Sequence, residues 1–256
     1  MQGFRRGVDR VPSVESIRNF RSLGGQTTVD GQRVRSDLVY RSAHLAEASD
    51  SDLESLAGLG IRTVFDFRNQ GDLAAEGPNR LPDGVELVSL PMADSANPSG
   101  LRENFSSFSA EELEERFGNG KAFQWMKEAS ARSVSDPVRS SQFGEFVRGV
   151  LARGAAPLLF NCSAGKDRTG WAASLLLLAV GVPEQQVVDH YLETNQHVVP
   201  GRYGELMMPL AIVHEDYFAE QMRVLVDTWG SFDQYWTDAL GLDDGHRQAL
   251  RDLLLD

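Results

Sequence analysis

The chain has only one cysteine, Cys162, among 256 residues, so no disulfide can form within it. Its cysteine content therefore gives no sign of an oxidising compartment. Long hydrophobic runs are also missing: the longest, residues 171–182, spans 12 residues, too few to cross a bilayer as a helix. The first residues carry positive charge but no apolar stretch, unlike a signal peptide. We expect a protein without stable membrane insertion that is cytoplasmic, or exported without a classical signal peptide.

The chain also contains fewer basic than acidic residues. The chain has 25 Lys and Arg residues against 37 Asp and Glu residues, a formal net charge of −12 and a pI of about 4.9. Nucleic acids and anionic membranes attract basic surfaces, so this balance argues against partners of either kind. Hydrophobic residues make up 41% of the chain, enough at this length for a well-buried core, and no linker or repeat divides it. We expect a single domain over residues 1–256.

Strand patterns dominate the first part of the chain and helix patterns the last. Apolar or β-branched runs at 38–42, 61–68, 85–91 and 156–161 are typical of strands, and the last of them predicts a central strand. Helical patterns lie between these runs and account for most of the chain after the last one. The alternation predicts an α/β fold, with a central, mostly parallel sheet flanked by helices and a helix-rich C-terminal half.

The single cysteine lies in the stretch NCSAGKDRTG, residues 161–170, directly after the apolar run LLF. We expect a strand, a loop and then a helix from about Thr169, so that loop amides and the positive end of the helix dipole surround one point. Such a loop binds a tetrahedral oxyanion, and the planar guanidinium of Arg168 can hold two of its oxygens. The same positive potential stabilises a thiolate at Cys162, placed for attack on phosphorus. The stretch therefore indicates the nucleophile site of a phosphatase.

A cysteine and an arginine separated by five residues, as in CSAGKDR, resemble the phosphate loop of the cysteine-dependent phosphatases. The closer resemblance is to the bacterial atypical tyrosine and lipid phosphatases, whose loop contains the run Ala-Gly-Lys-Asp-Arg-Thr-Gly found here. It extends to NFRSLGG, DLVYRSAHL, LGIRTVFDFRN and VVDHYLETN, and to WGSFDQYWTDALGL and HRQALRDLLLD near the C-terminus. The resemblance implies the sandwich fold of the cysteine phosphatases and a phosphomonoesterase of protein tyrosine, dual-specificity or phosphoinositide type. Its partners would be a phosphorylated protein or a phosphoinositide, and inorganic phosphate.

The resemblance also assigns roles within the loop. Cys162 is the nucleophile, forming a phosphocysteine intermediate, and Arg168 is the phosphate clamp. Phosphate-binding groups would come from Ser163, Ala164, Gly165, Lys166, Asp167, Arg168 and Thr169. The Thr169 hydroxyl could donate to the thiolate, and Lys166 matches a lysine associated with negatively charged substrates, the alternative being a solvated loop lysine. Asn161 stands where the family usually has a histidine, and it can hold the loop by hydrogen bonds but adds no charge.

Hydrolysis of a phosphate ester also needs an acid for the leaving oxygen and then a base that activates water. Asp167 lies inside the loop beside Arg168, and a comparable pair occurs in lipid phosphatases of the myotubularin type. Asp66 is the other candidate, because it ends a predicted strand at the sheet edge where ligands usually bind. We favour Asp167. The alternative for Asp66 is a structural ion pair with Arg68 or with an arginine of the loop.

Weaker patterns leave alternatives open. Arg41 could line the pocket or form a structural ion pair, and residues 204–218 could be part of the core or a mobile lid. His190 and His197 would share a helical face, but no third ligand accompanies them, so we expect no metal site and no cofactor. Two other functions compete with the phosphatase interpretation. One is a catalytically weak phosphate-recognition module, which Asn161 permits, and the other is a rhodanese-like sulfurtransferase.

Overall fold

A computed structural model describes residues 14–93, 108–198 and 204–256. The first residues, on which the expectation about a signal peptide depends, lie outside these ranges. The strands are β1 (Arg21–Ser22), β2 (Val39–Ser42), β3 (Thr63–Asp66), β4 (Glu86–Ser89) and β5 (Leu158–Asn161). The helices are α1 (Asp50–Gly58), α2 (Gln70–Glu76), α3 (Ala110–Phe117), α4 (Lys121–Ser135), α5 (Pro137–Arg153), α6 (Asp167–Ala179), α7 (Glu184–Leu192), α8 (Gly204–Ala211), α9 (Glu215–Trp229), α10 (Phe232–Gln234) and α11 (Asp244–Leu254). A 3-10 turn (Glu193–His197) follows α7, and a π-helical turn (Tyr235–Ala239) follows α10.

The strands form one sheet in the order β1-β2-β5-β3-β4. Strands β2, β5, β3 and β4 are parallel, and β1 is antiparallel to β2 at one edge. The predicted α/β fold with a mostly parallel sheet is confirmed, as is the central position of β5. The register pairs Asn161, the last residue of β5, with Ser42 on one side and Asp66 on the other. The carboxyl ends of these strands therefore lie side by side, at the edge where α/β proteins bind ligands.

Helices cover both faces of this sheet. On one face, Leu56 of α1 packs with Tyr40, Val64 and Leu159. On the other face, α5 and α6 pack against the apolar side chains of β3 and β5, and Phe146 of α5 makes ring contacts with this layer. The apolar run that begins in α6 is buried on almost every side, which explains why it has no polar face. Within the described ranges, none of the helices has the length and apolar character needed to span a bilayer.

A smaller apolar cluster joins α3, α4, α8 and α9. Its members are Phe117, Ala122, Met126, Ala129, Leu210 and Tyr217. The Tyr217 hydroxyl also donates to the Pro209 carbonyl of α8, at 3.1 Å. Leu210 and Tyr217 belong to residues 204–218, and their burial in this cluster agrees with the core-packing alternative for that segment.

The start of α6 differs from the prediction. The helix begins at Asp167 rather than at about Thr169, so that Asp167 and Arg168 belong to its first turn and not to the loop. Lys166 precedes the helix and its side chain makes no capping hydrogen bond. A capping side chain is the usual mark of a helix start in a sequence, and without one the pattern did not locate this start.

Candidate active site

The loop between β5 and α6, residues 162–166, is fixed from outside through its carbonyl groups. The bonds run from the His44 amide to the Ser163 carbonyl (3.1 Å), from Asn19 Nδ2 to the carbonyls of Ala164 (3.2 Å) and Gly165 (2.8 Å), and from Arg41 Nη2 to Gly165 (2.7 Å). The C=O and N–H groups of a trans peptide point in opposite directions. Because these carbonyls face outward, the amides of residues 164–166 face the inside of the loop, where they can hold an anion.

The loop can take this shape only with glycine at position 165. Gly165 has a φ of 65°, in the left-handed region that side chains disfavour. A Cβ atom there would lie 2.4 Å from the Ser42 carbonyl oxygen of β2, closer than two such atoms approach. The second glycine of the motif, Gly170, leaves room for the ring of Tyr191, which a Cβ would meet at 3.1 Å. The glycines of the motif thus let the loop and α6 lie close to their neighbours.

Arg168, in the first turn of α6, folds back across the loop. Its Nη2 lies 3.3 Å from the Ser163 hydroxyl, beside Cys162, and its Nη1 donates to Asp72 Oδ2 at 2.6 Å. The Ser163 hydroxyl in turn donates to Asp72 Oδ1 at 3.0 Å. Further bonds from Nη1 reach the carbonyls of Phe67 (3.1 Å) and Met92 (3.3 Å). The guanidinium is therefore held in one orientation at the mouth of the loop.

Asp72 is the main functional residue that the sequence did not reveal. It is the third residue of α2, where it forms a capping box with Asn69, and its side chain is buried. Burial by itself raises the pKa of Asp72, but the hydrogen bond and charge of Arg168 outweigh that effect and lower the pKa below its ordinary value. The sequence spacing of Asn69 and Asp72 is typical of a helix cap. It contains no signal for a partner 96 residues away.

Asp66 belongs to a buried network beside the loop. Its carboxylate accepts hydrogen bonds from Arg68 Nε at 3.0 Å and Nη2 at 2.8 Å, and from Asn79 Nδ2 at 3.1 Å. The side chains of Asp66 and Arg68 are almost completely buried. This ion pair is the alternative predicted for Asp66, and it occupies both oxygens of the carboxylate.

Asn161 extends the same network to the loop. Its Oδ1 accepts from Asn79 Nδ2 at 3.0 Å, and its Nδ2 donates to Asp66 Oδ1 at 3.3 Å and to the Cys162 carbonyl at 3.4 Å. As expected, Asn161 holds the loop by hydrogen bonds. It adds no charge beside the Cys162 thiol.

Lys166 is not solvated, so that alternative is wrong. Its side chain is 3% exposed, and its Nζ donates to the carbonyls of Leu210 (3.0 Å) and Ile212 (3.3 Å), at the end of α8. The same ammonium lies 3.1 Å from Asp167 Oδ1. Lys166 thus joins the phosphate loop to the helix α8 and to its own neighbour.

Asp167 has a side chain that is 22% exposed. Together with Arg168 it lines a pocket beside the loop. The other walls are formed by α4, α5, α7 and α9 and by the chain after β4, with Met92, Ala129, Phe143, Tyr191, Arg139 and Gln221 among the lining residues. The pocket brings Asp167 and Arg168 to the same opening, and Asp66 is not among its lining residues.

Three weaker predictions have different outcomes. Thr169 Oγ1 is buried and has no hydrogen-bond partner in the described part of the chain, so the expected bond to Cys162 is not formed. Arg41 neither lines this pocket nor makes an ion pair with a described residue. His190 lies in α7 and His197 in the 3-10 turn, so they do not share one α-helical face.

Among the residues of the described ranges, no group of three or more His, Cys, Asp or Glu side chains could hold a metal ion.

Comparison with known proteins shows the family to which the chain belongs. A model of the tyrosine phosphatase family matches residues 12–256. The chain is 35% identical over 245 residues to a Cupriavidus necator protein named provisionally as a tyrosine-protein phosphatase, covering 90% of this chain and 84% of that protein. It is 27% identical over 270 residues to the triple specificity protein phosphatase PtpB of Mycobacterium tuberculosis, covering 93% and 96%. The solved structure of TpbA from P. aeruginosa is 19% identical, with a TM-score of 0.39 and coverage of 86% and 89%.

A central strand that leads into a cysteine loop, with an arginine folded back over it, defines a cysteine-dependent phosphatase. The chain belongs to the tyrosine phosphatase family, as the match over residues 12–256 shows. It is a phosphoric monoester hydrolase of the protein tyrosine phosphatase type, in agreement with its relatives. The family resemblance expected from CSAGKDRTG and the flanking blocks is confirmed.

Proposed function

We propose that the protein hydrolyses phosphomonoesters through a covalent phosphocysteine at Cys162. The observation that supports this most is the position of Arg168, whose guanidinium reaches the Ser163 hydroxyl directly beside the cysteine. Inward-facing amides of residues 164–166 and this guanidinium supply donors for the three non-bridging oxygens of a phosphate. The sulfur of Cys162 then lies beneath the phosphorus atom, opposite the leaving oxygen.

The reaction has two steps in this proposal. The Cys162 thiolate attacks phosphorus, an S–P bond forms, and the P–O bond to the leaving group breaks as that oxygen takes a proton from the Asp167 carboxyl. In the second step the Asp167 carboxylate takes a proton from water, the water oxygen attacks phosphorus, and the S–P bond breaks. The products are an alcohol or phenol and inorganic phosphate, and Cys162 returns as a thiolate.

Asp167 is favoured as the acid because it shares an opening with the phosphate clamp. Asp167 and Arg168 line the same pocket, and the Asp167 side chain is 22% exposed. Asp66 is 4% exposed and already bound by Arg68 and Asn79. Both oxygens of the Asp66 carboxylate are occupied by these partners, so neither is directed at a bound phosphate.

Phosphotyrosine proteins are the substrates that we propose first. The pocket beside Arg168 has apolar and aromatic walls from Met92, Phe143 and Tyr191, which suit an aromatic leaving group. Phosphoinositides are the alternative. The name of PtpB, triple specificity, describes that relative, and release of phosphate from a panel of phosphopeptides and phosphoinositides would separate the two classes for this chain.

Replacement of the nucleophile tests the proposed function. Cys162→Ser should lose turnover of p-nitrophenyl phosphate completely, because a serine hydroxyl is not ionised in the anion cradle, while binding of inorganic phosphate is retained. A folded Cys162→Ser variant with turnover near that of the natural chain would exclude the mechanism. A distant change such as Asp50→Asn, at a 90% exposed side chain, serves as the control for handling and folding.

A further inference from the structure

Arg41 of β2 is a buried arginine directly beneath the phosphate loop. The register of the parallel pair β2–β5 places Arg41 opposite Phe160, so both side chains lie on the face of the sheet that α6 covers. Cys162, two residues after Phe160, is buried in the same layer. The Arg41 side chain is 0% exposed, and its Nη2 donates to the Gly165 carbonyl at 2.7 Å. The guanidinium therefore supports the loop from the side of the core.

The rest of the Arg41 guanidinium has no hydrogen-bond partner in the part of the chain that the structure describes. Its Nε and Nη1 are buried and make no hydrogen bond to any described residue. Arg68, which is equally buried, shows the usual arrangement: its guanidinium is bound by the carboxylates of Asp66 and Glu76 and by the Asn79 side chain. A buried cation without a counter-ion is unfavourable, because it loses its hydration and no opposite charge compensates for that loss.

The other cations around the loop are already compensated. The pairs are Arg168 with Asp72 (2.6 Å), Lys166 with Asp167 (3.1 Å), Arg68 with Asp66 (2.8 Å) and Arg21 with Glu193 (3.2 Å). Among these cations and within the described residues, Arg41 is the one that no carboxylate neutralises. The positive charge that remains after pairing therefore belongs to Arg41.

The ionisable groups facing Arg41 leave one candidate for its counter-ion. They are Cys162, Tyr191, Glu193, Arg21, His190 and His197. Burial, followed by Arg21 and Arg41, lowers the pKa of His197, and a histidine carries no negative charge in either form. Burial, and beyond it the charge of Asp167, raises the pKa of Tyr191 well above its ordinary value, so this phenol stays neutral. Burial, and then Arg41 and Arg21, hold the pKa of His190 well below its ordinary value, so it is neutral too. Glu193 is bound by Arg21, and Cys162 remains.

The charges of the two groups are linked. Burial, followed by repulsion from Arg21, lowers the pKa of Arg41, and a negative charge on Cys162 opposes this shift. Arginine nevertheless stays protonated in proteins, so a positive charge remains beneath the loop at neutral pH. Each charge then lowers the cost of burying the other.

We propose that Arg41 is a positioning residue of the phosphatase reaction, in which its buried guanidinium holds the Gly165 carbonyl and acts as the counter-ion of the Cys162 thiolate. The proposal rests on the proposed function, since it takes Cys162 as the nucleophile. It also explains how the Cys162 thiolate can be stabilised although Asn161, directly before the cysteine, carries no charge. Positive charge comes from β2, below the loop, instead of from that position.

Two variants separate charge from support. Arg41→Gln removes the charge and leaves an N–H group on a shorter side chain, whereas Arg41→Lys keeps both a charge and an N–H donor. Because Cys162 is the only thiol of the chain, its ionisation can be followed by thiolate ultraviolet absorbance against pH, with Cys162→Ser as the blank. The midpoint should rise by about one pH unit in Arg41→Gln and by clearly less in Arg41→Lys. The acid limb of kcat/KM for p-nitrophenyl phosphate should move by the same amount.

Other charges near Cys162 must stay unchanged in this comparison, namely those of Asp66, Arg68, Asp72, Lys166, Asp167 and Arg168. Arg153→Met is the matched control, because Arg153 pairs with Glu86 over the ring of Phe65, away from the loop, and should not move the midpoint. If Arg41→Gln does not fold, Arg41→Met takes its place, since an apolar side chain suits the buried position.

The outcomes distinguish the two proposals. A midpoint in the folded Arg41→Gln or Arg41→Met variant equal to that of the natural chain would overturn the role of Arg41, even with turnover dependent on Cys162. An equal rise in Arg41→Gln and Arg41→Lys would also overturn it, because support and not charge would then be decisive. Normal turnover by Cys162→Ser would instead overturn the proposed function, whatever Arg41 does.

Discussion

At the scale of single residues, the phosphate loop depends on partners far away in the chain. Arg168 is oriented by Asp72 of α2, the Gly165 carbonyl is held by Asn19 and Arg41, and the Lys166 ammonium is bound at the end of α8. A catalytic loop needs such support, because a displacement of about 1 Å at the reacting atoms can cost about 100-fold in rate. We therefore expect substitutions of these partners to affect turnover, although none of them is proposed to touch the substrate.

Asp72→Asn should lower kcat/KM for p-nitrophenyl phosphate about tenfold or more, because Arg168 loses the carboxylate that orients its guanidinium. Steady-state kinetics above pH 5 measures this, since the lowered pKa of Asp72 means that its carboxylate is charged there. Glu76→Gln is the matched control: Glu76 lies on the same helix but pairs with Arg68, at 3.3 Å. Unchanged kcat/KM in Asp72→Asn would show that the carbonyls of Phe67 and Met92 orient Arg168 sufficiently.

The choice of acid can be tested through the leaving group. Asp167→Asn should slow phosphotyrosine hydrolysis about 100-fold or more, and hydrolysis of an activated aryl phosphate far less, because a good leaving group departs without a proton. Asp66→Asn should lower the stability, since Arg68 would lose its main partner, and should affect both substrates alike. The opposite pattern, with a leaving-group-dependent loss only in Asp66→Asn, would reverse the assignment.

These contacts show which residues of the site could be predicted from the sequence and which could not. Cys162, Arg168 and Gly165 were predictable because they stand close together in one short stretch of sequence, with spacing that anion binding requires. The ion pair of Asp66 with Arg68 was an open alternative for the same reason. Asp72 was not predictable, because its partner is distant in sequence and chain folding alone brings them together. The roles of Cys162, Arg168 and Asp167 in catalysis remain predictions.

At the scale of elements, local side-chain chemistry marks the starts of α1 and α3. Capping boxes begin both helices, formed by Ser49 with Asp52 and by Ser109 with Glu112. The start of α6 could not be predicted in this way, because its first turn follows the anion loop and has no side-chain cap. A helix start can therefore be predicted from the local sequence only where a side chain there makes a capping hydrogen bond.

The cap of α1 makes a pH-dependent contribution to stability. Asp52 accepts hydrogen bonds from the amides of Glu15 (2.9 Å) and Ser49 (3.1 Å) and from the Ser16 hydroxyl. Burial raises the pKa of Asp52, but these bonds, led by that of Ser16, outweigh it and lower the pKa to about 2. A depressed pKa in the folded state means that the stabilisation is present above the unfolded value of about 4 and disappears as pH falls towards the folded value.

Asp52→Asn should therefore lower the free energy of unfolding by about 1–2 kcal/mol at neutral pH. Urea denaturation at a series of pH values measures the difference, which should shrink as the pH falls below about 4. Asp50→Asn is the control, because Asp50 is 90% exposed and its pair with Arg80 is a surface ion pair of little value. A difference that stays constant down to the lowest pH would show that the charge of Asp52 is not what stabilises the cap.

At the scale of the whole molecule, the strand order creates the site. The order β1-β2-β5-β3-β4 places β5 between β2 and β3, so that the loop after β5 is supported by Arg41 on one side and by the Asp66 network on the other. The alternation of strands and helices was enough to predict a mostly parallel sheet with a central β5. It could not give the full order, because the pairing of β2 with β5 joins segments separated by more than a hundred residues.

The most direct test of the account is to search for the phosphocysteine itself. A reaction of p-nitrophenyl phosphate, whose leaving group departs without a proton, with the Asp167→Asn variant, quenched in acid within the first turnover, should leave a phosphoryl group on the peptide that contains Cys162. Slow hydrolysis in this variant should let the intermediate accumulate, and mass spectrometry of the digest would locate it. The account predicts modification of Cys162 that disappears when the substrate is consumed. A phosphoryl group on another residue, or turnover without any covalent intermediate in both this variant and the natural chain, would contradict it.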